Sequence, residues 1–247
     1  NSTIIFTPPK THTKNVMDLT GTHKPCIICA GIGGWYSAGI DRLEKSLNFH
    51  GYPGDTIFWR NEYPPHCPTH QENPYAFKIA AFREAYRRGY RQVMWLDCSM
   101  WTIQNPMPIF DIIVDKGVFA FRSGYNCAQT CPDNLLQEIN ITRDAAEQIP
   151  ETATGIVGIN FDNPDGAAVF DIWADLCDRG FFINSRTHNP NESADPRFLF
   201  GRQDQSAFSM ALYKAGVSFL YEDYVSYYNN GKPGYNPEKC IFFINSL

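Results

Sequence analysis

The sequence predicts an α/β fold with a mostly parallel central sheet flanked by helices. Segments with strand-like and helix-like patterns alternate through the first hundred residues, with short turns between them. This order is typical of parallel strands joined by helical crossovers. Within Gln92–Leu96, four residues (VMWL) form an unbroken apolar run, which indicates a strand buried on both faces. We therefore place this strand in the middle of the sheet.

The remaining elements are predicted from their hydrophobic spacing and their turn residues. Pro74 suits the first position of a helix, and Gly89 and Gly216 each follow a helical pattern that they would end. The other predicted strands cover residues 25–30, 56–60, 118–122, 155–160 and 217–221. The predicted helices cover residues 38–49, 74–88, 133–148, 167–179 and 205–215.

Composition indicates one domain over residues 25–247, preceded by an irregular extension of residues 1–24. A chain of 247 residues can bury a substantial core. The net charge of −5 provides no basic stripe, which argues against a nucleic-acid partner. No apolar run is long enough to span a membrane. The compartment stays open between the cytoplasm and a lumen reached after loss of a leader, because glycosylation sequons occur at Asn1, Asn140 and Asn191.

The eight cysteines do not settle the compartment either. They are too few for a disulfide-dense scaffold in a chain of this length. Cys127 and Cys131 could form a disulfide that clips a loop, or stay reduced.

Asp97 follows the apolar strand directly, at the end where open α/β sheets place their ligand crevice. Because alternate residues of an extended chain point the same way, Asp97 and Ser99 can face one ligand together. A carboxylate and a hydroxyl can hold Mn²⁺ or Mg²⁺ through oxygen, with a nucleotide diphosphate completing the coordination. The simpler alternative is that Asp97 caps the turn after the strand.

Two further candidates precede this strand. In the turn after the first strand, Gly31, Gly33 and Gly34 allow backbone N–H groups to approach a phosphate or nucleoside, although the turn lacks the G-x-G-x-x-G spacing of dinucleotide-binding proteins. Lys78 lies one turn into the second helix, where its ammonium could meet a diphosphate, and Tyr75 could stack on the ligand. The alternatives are a tight turn and an amphipathic surface helix.

Carboxylates in the second half of the chain are candidates for a general base. In the segment GRQDQS, Asp204 lies between Gln203 and Gln205, whose amides suit sugar hydroxyls. It could also simply complement the dipole of the helix that begins there. Glu222 and Asp223 are adjacent acids at the end of the last predicted strand and are the reserve candidates.

Two longer segments carry a family resemblance. NPYAFKIAAFREAYRRGYRQVMWLDCSMW resembles the donor half of nucleotide-sugar glycosyltransferases of the GT-A fold. ATGIVGINFDNPDGAAVFDIW and RQDQSAFSMAL resemble the acceptor half of the same superfamily, so the similarity covers roughly residues 26–224. It implies transfer of a sugar from a UDP-, GDP- or dTDP-sugar to a hydroxyl of a glycan or glycoprotein acceptor.

The resemblance also implies roles for particular residues. Asp97 matches the first acid of the Asp-x-Asp motif, which contacts the donor or its metal, whereas Ser99 replaces the second acid and weakens the expected Mn²⁺ or Mg²⁺ site. Lys232 is a candidate to neutralise the leaving diphosphate, because the C-terminal segment lacks the metal-binding histidine of many retaining members. That absence favours inversion with Asp204 as base. Asn160, Gln203 and Gln205 are the implied acceptor-binding residues.

Two alternatives stay open at the level of sequence. ICAGIGGW resembles the S-adenosylmethionine loop of DNA cytosine methyltransferases, which leaves a methyltransferase as an enzymatic rival. The Asp97-Cys98-Ser99 motif also suits a catalytically degenerate GT-A domain that binds a glycan without transferring one.

Overall fold

The computed structural model describes residues 24–227 and 238–245. These residues form nine strands: β1 (Cys26–Gly31), β2 (Asp55–Arg60), β3 (Gln92–Leu96), β4 (Met100–Thr102), β5 (Val118–Asn126), β6 (Pro150–Asn160), β7 (Leu220–Tyr221), β8 (Val225–Tyr227) and β9 (Phe242–Ile244). They also form eight helices: α1 (Tyr36–Phe49), α2 (Ala76–Arg87), α3 (Met107–Lys116), α4 (Cys127–Thr130), α5 (Asp133–Ile139), α6 (Arg143–Glu147), α7 (Pro164–Asp178) and α8 (Asp204–Ala215).

Six of the strands form a central sheet in the order β2-β1-β3-β6-β5-β7. The pairs β1–β2, β1–β3 and β5–β7 are parallel, whereas β6 runs antiparallel to both β3 and β5. Five strands therefore point one way and one points the other, which confirms the mostly parallel α/β prediction. A second, three-stranded sheet in the order β4-β9-β8 begins directly after the Asp97-Cys98-Ser99 segment.

The strand β3 is buried on both faces, as predicted. Val93 and Trp95 lie in a core under α2, α7 and α8. Met94 and Leu96 lie in a second core under α1 and α3. Because successive residues of a strand point to opposite faces, each core receives two apolar side chains from β3. The carboxyl end of β3 is thereby held rigidly between two layers of helices.

Several elements that follow β3 differ from the prediction. The single helix predicted at residues 133–148 is two helices, α5 and α6, because Asn140 adopts a left-handed conformation with φ of 61° and Thr142 caps the next helix by accepting a hydrogen bond from the backbone of Ala145. The helix α3, which begins after Pro106 and ends at Gly117, was not predicted. The strand predicted at 217–221 is only two residues long.

Three further observations concern the remaining sequence predictions. Nearly all of the predicted N-terminal extension lies outside the described residues. Cys127 and Cys131 are both buried free thiols. None of the described helices combines the length and the apolar character that a membrane span requires.

Gly39 brings α1 close to the loop that follows β3. A Cβ atom at this position would lie 2.3 Å from the backbone oxygen of Cys98 and 2.8 Å from the ring of Trp35. No side chain fits at 2.3 Å from a backbone atom, so the contact requires glycine. The helix α1 therefore packs directly against the segment that carries Asp97 and Ser99.

We expect the Gly39→Ala variant to lose about 1–2 kcal/mol in the free energy of unfolding. Alanine stabilises a helix interior by about 1 kcal/mol relative to glycine, but overpacking costs typically 1–3 kcal/mol, and here the clash is with backbone. Urea unfolding of this variant, with Lys45→Ala on the exposed face of α1 as control, measures the difference. A gain in stability for Gly39→Ala would show that the two segments are not in close contact.

Candidate functional site

Two pockets meet at the carboxyl end of β3. The first, which we call the aromatic pocket, has a volume of about 330 Å³. Its walls carry seven aromatic rings: Trp35, Tyr36, Tyr63, His70, Tyr75, Phe77 and Trp95. The second, the polar pocket, has a volume of about 500 Å³ and is lined by hydroxyl, amide and charged groups that include Ser123, Tyr125, Arg202 and Gln205.

Asp97 and Ser99 line both pockets. The backbone N–H of Asp97 donates to the carbonyl of Gly155 on β6 at 2.8 Å, which fixes the residue at the end of the sheet. Its Oδ1 atom accepts a hydrogen bond of 2.7 Å from Trp95 Nε1. The side chain is 35% exposed. The predicted ligand-binding acid is therefore accessible and held in place at the junction of the two pockets.

Lys78 lies behind Asp97 in the interior of the protein. Its side chain is only 2% exposed, and its Nζ atom donates to Asp204 Oδ2 at 2.8 Å and to the backbone oxygen of Thr154 at 2.8 Å. Asp97 Oδ1 lies 3.4 Å from the same ammonium. Lys78 therefore links α2, β6 and α8 with the acid that follows β3.

The electrostatics of this cluster keep Lys78 charged. Burial alone lowers the pKa of a lysine, but the neighbouring Asp204 and Asp97 carboxylates oppose that effect and raise the pKa of Lys78 above its usual value. The ammonium also lies 5.1 Å from the ring centroid of Tyr75 and 5.5 Å from that of Trp95, both walls of the aromatic pocket. A single buried cation thus contacts the acid at the junction and two of the aromatic rings.

The surroundings of Asp204 argue against the predicted role of general base. Its side chain is 3% exposed, is paired with Lys78 and accepts a hydrogen bond from the Thr154 hydroxyl. Trp173 Nε1 donates to its backbone oxygen at 3.1 Å. A base must reach the hydroxyl proton that it removes, and a carboxylate enclosed in this way does not. The position of Asp204 is that of a counterion for Lys78.

The structure places two of the predicted acceptor residues, Asn160 and Gln203, outside the lining of both pockets. Because β6 runs antiparallel to β3, Asn160 lies beside Gln92, at the amino end of β3 and away from Asp97. The side-chain amide of Asn160 donates to the backbone oxygen of Val114 at the limiting distance of 3.5 Å. Gln203 is buried, with φ of 53°, and its amide donates to the backbone oxygen of Asn184 at 3.2 Å. Of the three predicted acceptor residues, Gln205 lines the polar pocket.

The reserve carboxylates are surface residues. Glu222 forms an ion pair of 3.0 Å with Arg122, and its side chain is 61% exposed. Asp223 lies 3.3 Å from Lys239 and is 40% exposed. Both take part in surface ion pairs instead of lining the pockets. Lys232, predicted at the leaving diphosphate, lies outside the described residues.

The predicted donor-side residues divide into wall and turn positions. Gly31 and Tyr75 line the aromatic pocket, and the Tyr75 hydroxyl accepts a hydrogen bond from Arg186 Nη1 at 3.1 Å. Gly33 and Gly34 have φ of 77° and 48°, so they form the tight turn that leads into α1. This arrangement places Trp35 and Tyr36 in the wall of the aromatic pocket. Neither ring was predicted to bind a ligand, although both directly follow the glycines.

The described residues do not fit a divalent cation held by the protein alone. Asp97 is the one carboxylate that lines the junction, its Oδ1 is engaged by Trp95, and the Lys78 ammonium nearby repels a second cation. No group of three or more His, Cys, Asp or Glu side chains that could hold a metal occurs within residues 24–227 and 238–245. The sequence prediction of Mn²⁺ or Mg²⁺ thus has a single carboxylate ligand to support it.

No protein-family model and no curated protein matches the chain. Among solved structures, the chain is similar to a glycosyltransferase involved in the glycosylation of the major capsid of PBCV-1, with 13% identity, a TM-score of 0.47 and coverage of 90% of this chain and 93% of that one. It is similar to the galactosyltransferase LgtC solved with donor and acceptor sugar analogues, with 12% identity, a TM-score of 0.46 and coverage of 81% and 75%.

A third similar structure is mouse xyloside xylosyltransferase 1, with 9% identity, a TM-score of 0.45 and coverage of 83% of this chain and 87% of that one. All three are glycosyltransferases, the class of enzyme that the sequence resembles. The residues of the site, and not these distant similarities, carry the functional proposal.

Breaking the buried ion pair should destabilise the protein strongly. We expect Lys78→Met and Asp204→Asn each to cost about 3–5 kcal/mol in the free energy of unfolding, because each leaves one charge buried without its partner. The double variant should cost less than the sum of the two. Urea unfolding checks both statements.

The matched control is the exposed Arg83–Asp178 pair, where Arg83→Gln should cost about 0–1 kcal/mol. Equal costs at the two pairs, or strict additivity of Lys78→Met and Asp204→Asn, would contradict a buried and coupled ion pair.

Proposed function

We propose that the protein is a glycosyltransferase that moves a sugar from a nucleotide-diphosphate donor to a hydroxyl of a glycan or protein-linked acceptor. The observation that carries the proposal is the junction at Asp97 and Ser99, which joins a pocket walled by aromatic rings to a polar pocket. A nucleotide sugar has the same two-part chemistry, with a flat base at one end and a polyhydroxylated ring at the other.

The aromatic pocket suits the nucleoside. Bases stack on aromatic side chains because every base has a π face, and seven rings line the pocket. Its volume of about 330 Å³ lies at the lower end of the usual range for ligand pockets. The Tyr75 ring is fixed by the hydrogen bond between its hydroxyl and Arg186, so stacking on it would cost little ordering entropy.

Asp97 is the donor-positioning acid in this proposal. Its Oδ1 atom is held by Trp95 and Lys78, and its side chain remains partly exposed toward the two pockets. A carboxylate is a strong hydrogen-bond acceptor for sugar or ribose hydroxyls. Lys78 is then a positioning residue that acts through Asp97, and Asp204 is its counterion.

The proposed reaction forms one bond and breaks another at the anomeric carbon. The acceptor hydroxyl oxygen attacks that carbon, and the bond to the diphosphate oxygen breaks, so that the diphosphate leaves with the electron pair. The proton of the acceptor hydroxyl passes to the departing diphosphate. Positive charge near the leaving group lowers the barrier, and Lys232 is the residue that we propose for this role. The donor can be a UDP-, GDP- or dTDP-sugar.

The rival functions are separated by ligand binding. No feature of the described site favours S-adenosylmethionine, and calorimetry with that compound against UDP, GDP and dTDP tests the point. A degenerate GT-A domain that binds glycan without transfer would bind an acceptor sugar and show no hydrolysis or transfer from any nucleotide sugar.

We expect Asp97→Asn to lower kcat/KM for sugar transfer, or for donor hydrolysis, by tenfold to about a hundredfold, because it removes a charged hydrogen bond of about 1.5–3 kcal/mol. The control is Asp162→Asn, an exposed acid at the opposite end of the sheet, which should leave kcat/KM unchanged. The assay screens UDP-, GDP- and dTDP-sugars. Unchanged turnover in Asp97→Asn would remove Asp97 from the site.

Metal dependence is tested by the binding of a nucleoside diphosphate. Because the described residues offer one carboxylate to a cation, we expect EDTA to weaken nucleoside diphosphate binding by less than tenfold. Titration calorimetry in EDTA, in Mg²⁺ and in Mn²⁺ measures the effect. A hundredfold gain in affinity on addition of Mn²⁺ would show instead that the ligand phosphates and Asp97 together build a metal site.

A further inference from the structure

Arg202 is the cation that lines the polar pocket. It precedes α8 and lines the same pocket as the junction acid Asp97, and its side chain is 26% exposed. Arg202 has no role in the proposed function, and nothing in the segment GRQDQS distinguishes it as a ligand-binding residue. Its surroundings show how the guanidinium is held.

The guanidinium is fixed by neighbours that do not neutralise it. Its Cζ atom lies 5.6 Å from the ring centroid of Tyr125 and 5.8 Å from that of Phe200. With the Gln205 amide turned to satisfy its hydrogen bonds, its oxygen accepts from Nη2 and Nε of Arg202 at 2.7 and 3.1 Å. Rings and a neutral amide orient the charged group and leave its positive charge intact.

The acid nearest to Arg202 in an ion pair, Glu151, does not bind it closely. Among the described residues, its ion-pair partner is Glu151, whose Oε1 lies 4.0 Å from Nε, beyond hydrogen-bond distance. Glu151 is fully buried and accepts a hydrogen bond from the Ser123 hydroxyl. Burial raises the pKa of the Glu151 carboxyl above its usual value, which further weakens it as a counterion. Asp97, the carboxylate that lines the pocket, already has Lys78 as its partner.

We propose that Arg202 binds an oxyanion of the substrate in the polar pocket, either a phosphate of the donor or a carboxylate of an acidic sugar. A guanidinium has five N–H donors in a planar fork, of which Gln205 takes two. The remaining donors suit two oxygens of one phosphate or carboxylate, the geometry for which arginine is preferred over lysine. This inference rests on the proposed function and identifies a group of its substrate.

The test compares the affinities of matched ligands for the full chain and for Arg202→Gln. The anionic ligands are UDP, GDP, dTDP, inorganic pyrophosphate and glucuronate, and their uncharged counterparts are the three nucleosides and glucose. We expect at least one anionic ligand to lose tenfold or more in affinity, while the nucleosides change by less than twofold. Losses for the diphosphates assign the oxyanion to the donor, and a loss for glucuronate assigns it to an acidic sugar.

Two further variants separate charge from structure. Arg202→Lys keeps the positive charge but loses the planar fork of donors, so its affinity for the anionic ligands should lie between those of the wild type and Arg202→Gln. This variant replaces Arg202→Gln in the test if Arg202→Gln fails to fold. Arg83→Gln makes the same chemical change at a surface ion pair and should change no affinity.

Unchanged binding of every anionic ligand in Arg202→Gln would overturn the assignment, and so would an equal loss for nucleosides and diphosphates. A wild-type protein that binds no nucleoside diphosphate would overturn the proposed function instead, and the glucuronate and pyrophosphate measurements would then decide on Arg202 alone.

Discussion

The buried ion pair between Lys78 and Asp204 is the interaction on which the site depends. An ammonium with 2% exposure is tolerated only because Asp204 and Thr154 satisfy it. Thr154 lies on β6, Asp204 on α8 and Lys78 on α2. These contacts therefore fix the relative positions of three elements. Asp97 at the end of β3 is held by the same ammonium. The cost of burying the charge is thus offset by contacts that also orient the exposed acid.

The loop after β3 is held from the other side by backbone contacts. The Ser99 carbonyl accepts hydrogen bonds from Arg42 of α1 at 3.0 Å and from the backbone of Asn245 at 2.9 Å. Gly39 lets α1 approach the Cys98 carbonyl closely. Segments far apart in sequence therefore immobilise Asp97-Cys98-Ser99. A preorganised acid of this kind loses little entropy when a ligand binds.

Local pattern was sufficient to predict β3, α2 and the position of Asp97. Apolar runs and helical spacing are properties of neighbouring residues, and the carboxyl end of a central strand is where α/β sheets bind ligands. The inward direction of Lys78 could not be predicted, because lysine is almost always exposed unless paired, and its partner lies 126 residues away. Asn160 was placed at the wrong end of the sheet because the sequence does not show that β6 is antiparallel. Arg202 and the rings of Trp35 and Tyr63 reach the pockets only through loop geometry.

A crystal structure of the protein with the nucleoside diphosphate that binds most tightly tests the central claim most directly, namely that the two pockets meeting at Asp97 hold the two ends of one nucleotide sugar. We expect the base among the rings of the aromatic pocket and the Asp97 carboxylate in contact with the ribose or with the groups beyond it. A nucleotide bound outside the aromatic pocket, or one that makes no contact with Asp97, would contradict the claim.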